Sequence, residues 1–216
     1  MIPPRPVIHD ARDDNLRRSS LIEGKAITVG NAAVFARGVV IPDPNNMPGV
    51  LLQTVLIPGN ATDDGVFIEA VTIPWFEITQ IIMKYPDALY RLDPRKWEEM
   101  IAGWYKVAGY DEVILTHRSG DLGRDVIAVK KGTLTVRIID QVKAYAPNRV
   151  VLANDVRALL GVLQADQGAT KGIVTTTSQF APKIKDDKFI APFIPYRLEL
   201  IDGMELVKRL KLVAGA

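Results

Sequence analysis

The chain has 216 residues, of which 48% are hydrophobic and 24% charged, the balance of an ordinary globular protein. It has no cysteine and only two histidines, His9 and His117. That excludes disulfides, thiolate chemistry and cysteine zinc sites, and two histidines so far apart in sequence argue against a histidine-rich one, so any metal would be held mostly by oxygen, which favours Mg²⁺ or Mn²⁺.

No apolar run approaches the roughly 18 residues of a membrane helix. The opening Met1–Pro6 also lacks the apolar core of a secretory signal, so a cytoplasmic protein without membrane contact is expected. The net charge of +2 is unevenly spread: residues 81–216 hold 21 of the 27 Lys/Arg but 16 of the 25 Asp/Glu. A basic excess there is compatible with a polyanionic partner.

Residues 1–20 are rich in Pro, Arg and Asp without an apolar period, the pattern of a mobile tail or of an arm that wraps a partner subunit. Residues 21–76 have a β texture. Strands are expected over Ala26–Val29, Ala33–Ala36, Gly38–Ile41, Val50–Ile57 and Val66–Ile73, with turn-rich loops over 42–49 and 58–65. Asp43, Asp63 and Asp64 match no cation-loop spacing and read as solvated turn acids. Near Pro74 the period changes: Ile78, Ile81, Ile82 and Tyr85 follow helical spacing until Pro86 stops them. Asp93-Pro94, with Glu98 and Glu99 in the first turns, opens a second helix. Its apolar stripe is Trp97, Ile101, Trp104, Tyr105 and Ala108, and Gly109 ends it. Trp97 and Trp104 therefore read as core rather than as base-stacking platforms.

A strand over Tyr110–Thr116 leads to a hairpin, Arg124–Val129 and Leu134–Val142, joined through Lys130–Thr133. Asn154-Asp155 opens a helix with Val156, Leu159, Leu160 and Leu163 inward. Gly172–Thr177 has the apolar-to-β-branched texture of a strand covered on both faces. Arg197–Ile201 is a last strand and Met204–Leu212 a closing helix. From residue 94 the order is α-β-β-β-α-β, then β-α: an α/β fold with helices on the faces of a mixed sheet.

The chemistry concentrates in Gly120–Ile127 and Gln141-Val142-Lys143. On a strand Gln141 and Lys143 share a face and Val142 takes the other. The hairpin brings Asp125 beside them. An acid, an amide oxygen and an ammonium on one surface suit a divalent cation next to a phosphate. Asp140, by parity, faces the other way and is assigned to structure. His117-Arg118-Ser119 has two equal readings, phosphate contact and plain loop. Lys183, Lys185 and Lys188 form a solvated charge run, with phosphate tracking as the rival reading.

Six segments in this order resemble the Mrr-like restriction endonucleases of the PD-(D/E)XK nuclease superfamily. They are Tyr85–Pro94 before the Trp97-Glu98-Glu99 helix; Gly109-Tyr110; Ser119–Asp125; Gln141-Val142-Lys143; Lys171–Ser178; and Leu200–Gly203. The resemblance covers roughly 60% of the chain, from about Ile78 to Leu210. It implies a restriction-endonuclease-like αβββαβ core at 77–216; the small β-rich N-terminal region at 21–76, of unknown role, lies outside it. It also implies a Mg²⁺- or Mn²⁺-dependent endodeoxyribonuclease of restriction type acting on foreign or modified double-stranded DNA; because one active site cuts two strands awkwardly, a homodimer is expected. The rival roles are a repair or junction-resolving nuclease and a catalytically silent DNA-binding module. By the resemblance Asp125 is the metal acid, Gln141 stands at a position that is Glu, Asp or Gln in the superfamily, Lys143 is the catalytic lysine, and Glu98 supports the site. The backbone carbonyl of Val142 is a further metal ligand candidate, and Asp121 a secondary acid. Arg118, Ser119, Lys171 and Thr175 are candidate DNA contacts. Gln141 and the residues around Gly123 and after Lys143 depart from the commonest wording. No helix-turn-helix or finger pattern is present, so recognition is expected from residues 20–75 or from a partner.

Overall fold

The computed structural model describes residues 27–29, 32–34, 47–117 and 123–214. The arm expected over 1–20 and the strand expected over 38–41 lie outside them. Strands β1 (Ile27–Val29) and β2 (Ala32–Val34) pair antiparallel. Where one strand was expected over 50–57 there is a short helix, α1 (Met47–Leu51), and then β3 (Leu56–Ala61). The continuous apolar run there carries no period to separate the two states, and Pro48, with its φ preset, suits a first helical turn. β3 then runs on through the expected loop, with register shifts after Ile57 and after Pro58. Such irregularity, on an outer strand, is how a sheet takes a proline.

The rest follows the expected order. β4 (Gly65–Val71) and α2 (Ile73–Lys84) lead through a 3-10 turn, Pro86–Tyr90, into α3 (Pro94–Val107). Asp93 caps α3 by accepting from the Lys96 N–H at 2.9 Å. Next come β5 (Glu112–Thr116), β6 (Val126–Lys130), β7 (Val136–Lys143) and the two-residue β8 (Val150–Val151). Then follow α4 (Ala153–Ala165), β9 (Lys171–Thr176), β10 (Gln179–Phe180), β11 (Leu198–Ile201) and α5 (Gly203–Ala214). Seven strands form one mixed sheet in the order β11-β9-β7-β6-β5-β4-β3. β7, β9 and β11 are mutually parallel, and every other neighbouring pair is antiparallel.

β4 pairs with β5, so residues 56–71 extend the sheet that carries the hairpin. The boundary expected at 76–77 falls inside α2, and Val55, Leu56, Ile68 and Val71 share one apolar cluster with Trp97 and Tyr105. A separate N-terminal unit reaching to residue 76 is thus replaced by one continuous core. It was not legible because α2 and α3 separate β4 from β5 along the chain, and neither strand's own pattern encodes their pairing.

The two sheet faces carry different layers. One packs Trp75, Ile82, Trp97, Met100, Tyr105 and Leu210 from α2, α3 and α5 onto Val126, Ala128 and Ile138. The other packs Val156, Leu159 and Leu163 of α4 onto Ile139 and Val174. Trp97 is wholly buried, as a core reading requires; Trp104 is half-buried and donates its indole N–H to the Arg209 carbonyl at 3.3 Å.

Candidate active site

The alternation of β7 fixes the site. Ile138 belongs to the three-helix face and Ile139 to the α4 face. Side chains alternate, so Asp140 and Val142 follow Ile138 while Gln141 and Lys143 follow Ile139. β6 registers Val126 against Asp140. One step further places Asp125 across from Gln141 on the α4 side, and the Asp125 N–H donates to the Asp140 carbonyl at 3.1 Å. The Asp125 Oδ2 accepts from the Val142 N–H at 2.6 Å. N–H and C=O of one strand residue point to the same edge, so the Val142 carbonyl also lies on the Asp125 side. Gln141 is 7% exposed, and its Oε1 is buried with no hydrogen-bond donor among the described residues. Leaving a buried amide oxygen unmet costs about 1–3 kcal/mol, and a hard cation would answer it. Among the described residues no three Asp, Glu, His or Cys side chains cluster as a metal site. Among the described residues the oxygens that converge here are the Asp125 carboxylate, the Gln141 Oε1 and the Val142 carbonyl, all hard donors of the kind that Mg²⁺ or Mn²⁺ takes.

The turn before β6 is held from several directions. Thr116 donates its N–H and its hydroxyl to the Asp125 carbonyl at 3.1 and 3.0 Å. Gly123 has φ +78°, a region costly for other residues, and a Cβ there would lie 3.3 Å from the Gln141 Nε2. Arg124 pairs with Asp64 at 3.0 Å and Asp166 at 3.7 Å, and Arg137 bridges the same two acids at 3.7 and 3.2 Å. Asp64, expected as a solvated turn acid, is thus part of an ionic lattice tying the β3–β4 loop, the turn before β6 and the end of α4 together. Glu98 pairs with Arg95 at 2.6 Å, and Arg95 donates to the Thr116 carbonyl at 3.0 Å. Glu98 therefore connects to Asp125 through Arg95 and Thr116.

The Mrr_cat restriction endonuclease family matches residues 89–210, more than half of the chain, from before α3 into α5 and including the strands that carry Asp125, Gln141 and Lys143. The chain belongs to that family. Two solved structures are similar to this Mrr_cat protein: the MspJI restriction endonuclease in complex with a 27-mer oligonucleotide (18% identity, 64% of this chain and 32% of that one, TM-score 0.46) and the DNA modification-dependent restriction endonuclease AspBHI (18% identity, 68% of this chain and 37% of that one, TM-score 0.41). The chain thus spans about a third of the length of either enzyme. No curated protein matches it.

In this Mrr_cat chain two of the expected DNA contacts are placed elsewhere. Thr175 is 1% exposed and donates its hydroxyl to the Asp140 Oδ2 at 3.1 Å, on the face turned away from Gln141. Lys171 lies beside Ile138, whereas Lys143 lies beside Thr176. Three residues of strand put Lys171 roughly 10 Å along the sheet from Gln141, and five put it roughly 16 Å from Lys143; there it is ion-paired to Glu199. Arg118, Ser119 and Asp121 lie outside the described residues. The Thr-rich word has a different duty, missed in the sequence. Thr176 Oγ1 donates to the Lys143 carbonyl at 2.7 Å, Thr177 Oγ1 to the Tyr145 carbonyl at 2.7 Å and Ser178 Oγ to the Pro147 carbonyl at 3.4 Å. These hydroxyls clamp the chain leaving Lys143. The signal for them was four polar residues ending a strand that is otherwise buried.

Asp140 is structural, as parity required. Burial pushes its carboxyl up to about 8, against the pull of the Tyr105 hydroxyl (2.9 Å) and the Thr175 hydroxyl; Asp125 adds a further upward push. Between the unfolded value of 3.8 and about 8, the folded protein keeps a proton that the unfolded chain has lost. Stability therefore falls as pH rises across that window, by an amount on the order of a few kcal/mol, and levels off above it. Denaturant unfolding in EDTA at a series of pH values checks this: the parent loses that increment and Asp140→Asn does not. Equal slopes for the two would contradict the protonated buried acid.

Proposed function

We propose that the chain is a Mg²⁺- or Mn²⁺-dependent endodeoxyribonuclease that hydrolyses phosphodiester bonds of foreign or modified double-stranded DNA, in the cytoplasm and as a homodimer. The observation that carries this reading is the buried Oε1 of Gln141, without a hydrogen-bond donor among the described residues, on the strand face shared with Asp125 and Lys143. Asp125, Gln141 and the Val142 carbonyl would hold the cation. When bound, the ion acidifies a water and offsets charge building on the phosphate. Lys143 orients the attacking water or neutralises a phosphate oxygen. Water's oxygen joins phosphorus, the bond to the 3′ oxygen breaks, and that oxygen takes up a proton. The Val142 N–H, bonded to the Asp125 Oδ2 at 2.6 Å, fixes the orientation of that carboxylate against β7. Two such sites, one per protomer, suit the cutting of both strands.

The test is cleavage of methylated, unmethylated and branched DNA with Mg²⁺, Mn²⁺ or EDTA, run beside Asp125→Ala. Metal-dependent scission by the parent, lost in Asp125→Ala, is the expected result. DNA retention with no scission in either metal would leave a silent binding module. Preference for branched over plain and methylated duplex would move the role to junction resolution.

A further inference from the structure

A cleft of about 930 Å³ opens at the same end of the sheet as Lys143. Its walls are the 3-10 turn Pro86–Tyr90, the chain from Pro147 and Thr177 through Asp186, and the start of α5. One wall is therefore the segment that fixes the catalytic lysine: Thr177 lines the cleft and donates its N–H to the Lys143 carbonyl at 3.3 Å, and Ser178 and Pro147, bonded to each other, line it too. The cleft is of the size that holds a small organic ligand.

Its charge decides what it takes. Lys183 and Lys185 are set against Asp87, Asp186 and Asp202. Two cations facing three acids do not attract a run of phosphates, so the cleft is not a backbone track. It does offer aromatic surface, since Tyr90 and Phe180 line it and Tyr90 is 42% exposed. Lys183 adds an independent mark. It is in the left-handed region (φ 60°, ψ 16°), a conformation non-glycine residues adopt sparingly and that gathers at ligand-holding positions.

Resting on the nuclease reading above, we infer that this cleft seats one unpaired base of the bound DNA, stacked on Tyr90, with a single flanking phosphate met by Lys183. A base inside a duplex has both faces stacked and its edge paired, so only an unpaired or extruded base enters. The carboxylates of Asp87 and Asp186 accept hydrogen bonds and cannot donate them. They favour the amino-bearing bases cytosine, adenine and guanine over thymine.

The experiment uses the full chain in EDTA with a duplex carrying one unpaired 2-aminopurine, an amino-bearing fluorescent base, beside a perfectly paired control. The parent quenches the unpaired probe and binds that duplex more tightly than the control. Tyr90→Ala, an exposed position that leaves the core untouched, loses the quenching and about tenfold in affinity for the unpaired probe only. Tyr90→Ala with unaltered quenching and affinity overturns the cleft assignment, as does a parent that binds both duplexes equally. A parent that binds neither DNA overturns the nuclease reading and the cleft with it. Metal-dependent cleavage by a parent that fails the 2-aminopurine test removes the cleft alone.

Discussion

Replacing Lys143 with alanine lowers DNA cleavage by roughly a thousandfold while leaving melting temperature and DNA affinity close to those of the parent. The two effects separate because Lys143 anchors the fold through its carbonyl, not its side chain. That carbonyl accepts from the Thr176 hydroxyl and the Thr177 N–H, bonds that alanine keeps. The ammonium sits on a half-exposed strand end, on the face shared by Asp125 and Gln141, so its loss leaves no buried charge unpaired. Single-turnover nicking of supercoiled plasmid reads the loss, and a Lys143→Ala protein that nicks at the parent's rate sinks the nuclease proposal. Lys143→Arg separates the two duties of the ammonium. A guanidinium stays charged and grips phosphate, but it does not give up a proton at neutral pH. Partial activity in Lys143→Arg therefore assigns the lysine to phosphate charge, and none assigns it to the water. Gln141→Glu acts on the other member of the set. It puts a second carboxylate against Asp125, so cleavage saturates at lower Mg²⁺; an unchanged metal dependence contradicts the one-carboxylate account.

The parity of β7 was legible from the sequence because period two is rigid: once Ile138 or Ile139 is assigned a face, Asp140, Gln141 and Lys143 have no freedom left. Asp93-Pro94 was equally plain, since capping is local chemistry. The residues that failed were those whose partners are distant in the chain. Asp64 looks like any turn acid until Arg124 and Arg137 arrive from sixty or more residues away. Thr175 looks like a strand-end hydroxyl at the DNA surface until Asp140 and Tyr105 close over it on the buried face. Lys171 and Lys143 sit on parallel neighbouring strands, yet register sends them to opposite ends. Register between non-adjacent strands is a tertiary fact that one strand's pattern does not encode. The β3–β4 hairpin makes the same point: each strand was partly visible, but its pairing with β5 across α2 and α3 was not.

Trp97→Ala destabilises the fold by about 3–5 kcal/mol, a large share of the roughly 5–15 kcal/mol a domain has in all. Trp97 is wholly buried between α3 and the sheet, in the cluster that also holds Trp75, Met100 and Tyr105. Alanine leaves a cavity the neighbouring aromatic side chains cannot refill, since Trp75 is itself held by its indole N–H on the Met100 carbonyl at 3.0 Å. Trp97→Phe distinguishes packing from hydrogen bonding. It keeps most of the apolar contact but strands the Leu89 carbonyl, which now accepts from the Trp97 indole N–H at 3.0 Å, at a cost of about 1–3 kcal/mol. Urea unfolding reads both as midpoint shifts, the alanine variant moving further; equal shifts would mean that the hydrogen bond, not the ring volume, dominates. Leu89 precedes Tyr90 in the 3-10 turn that walls the cleft. Trp97→Phe therefore also loosens the seat of the unpaired base, and it weakens that probe's binding while leaving the Mg²⁺ dependence of plasmid nicking as in the parent, because Asp125 and Gln141 are held from β6 and β7 and not from this turn.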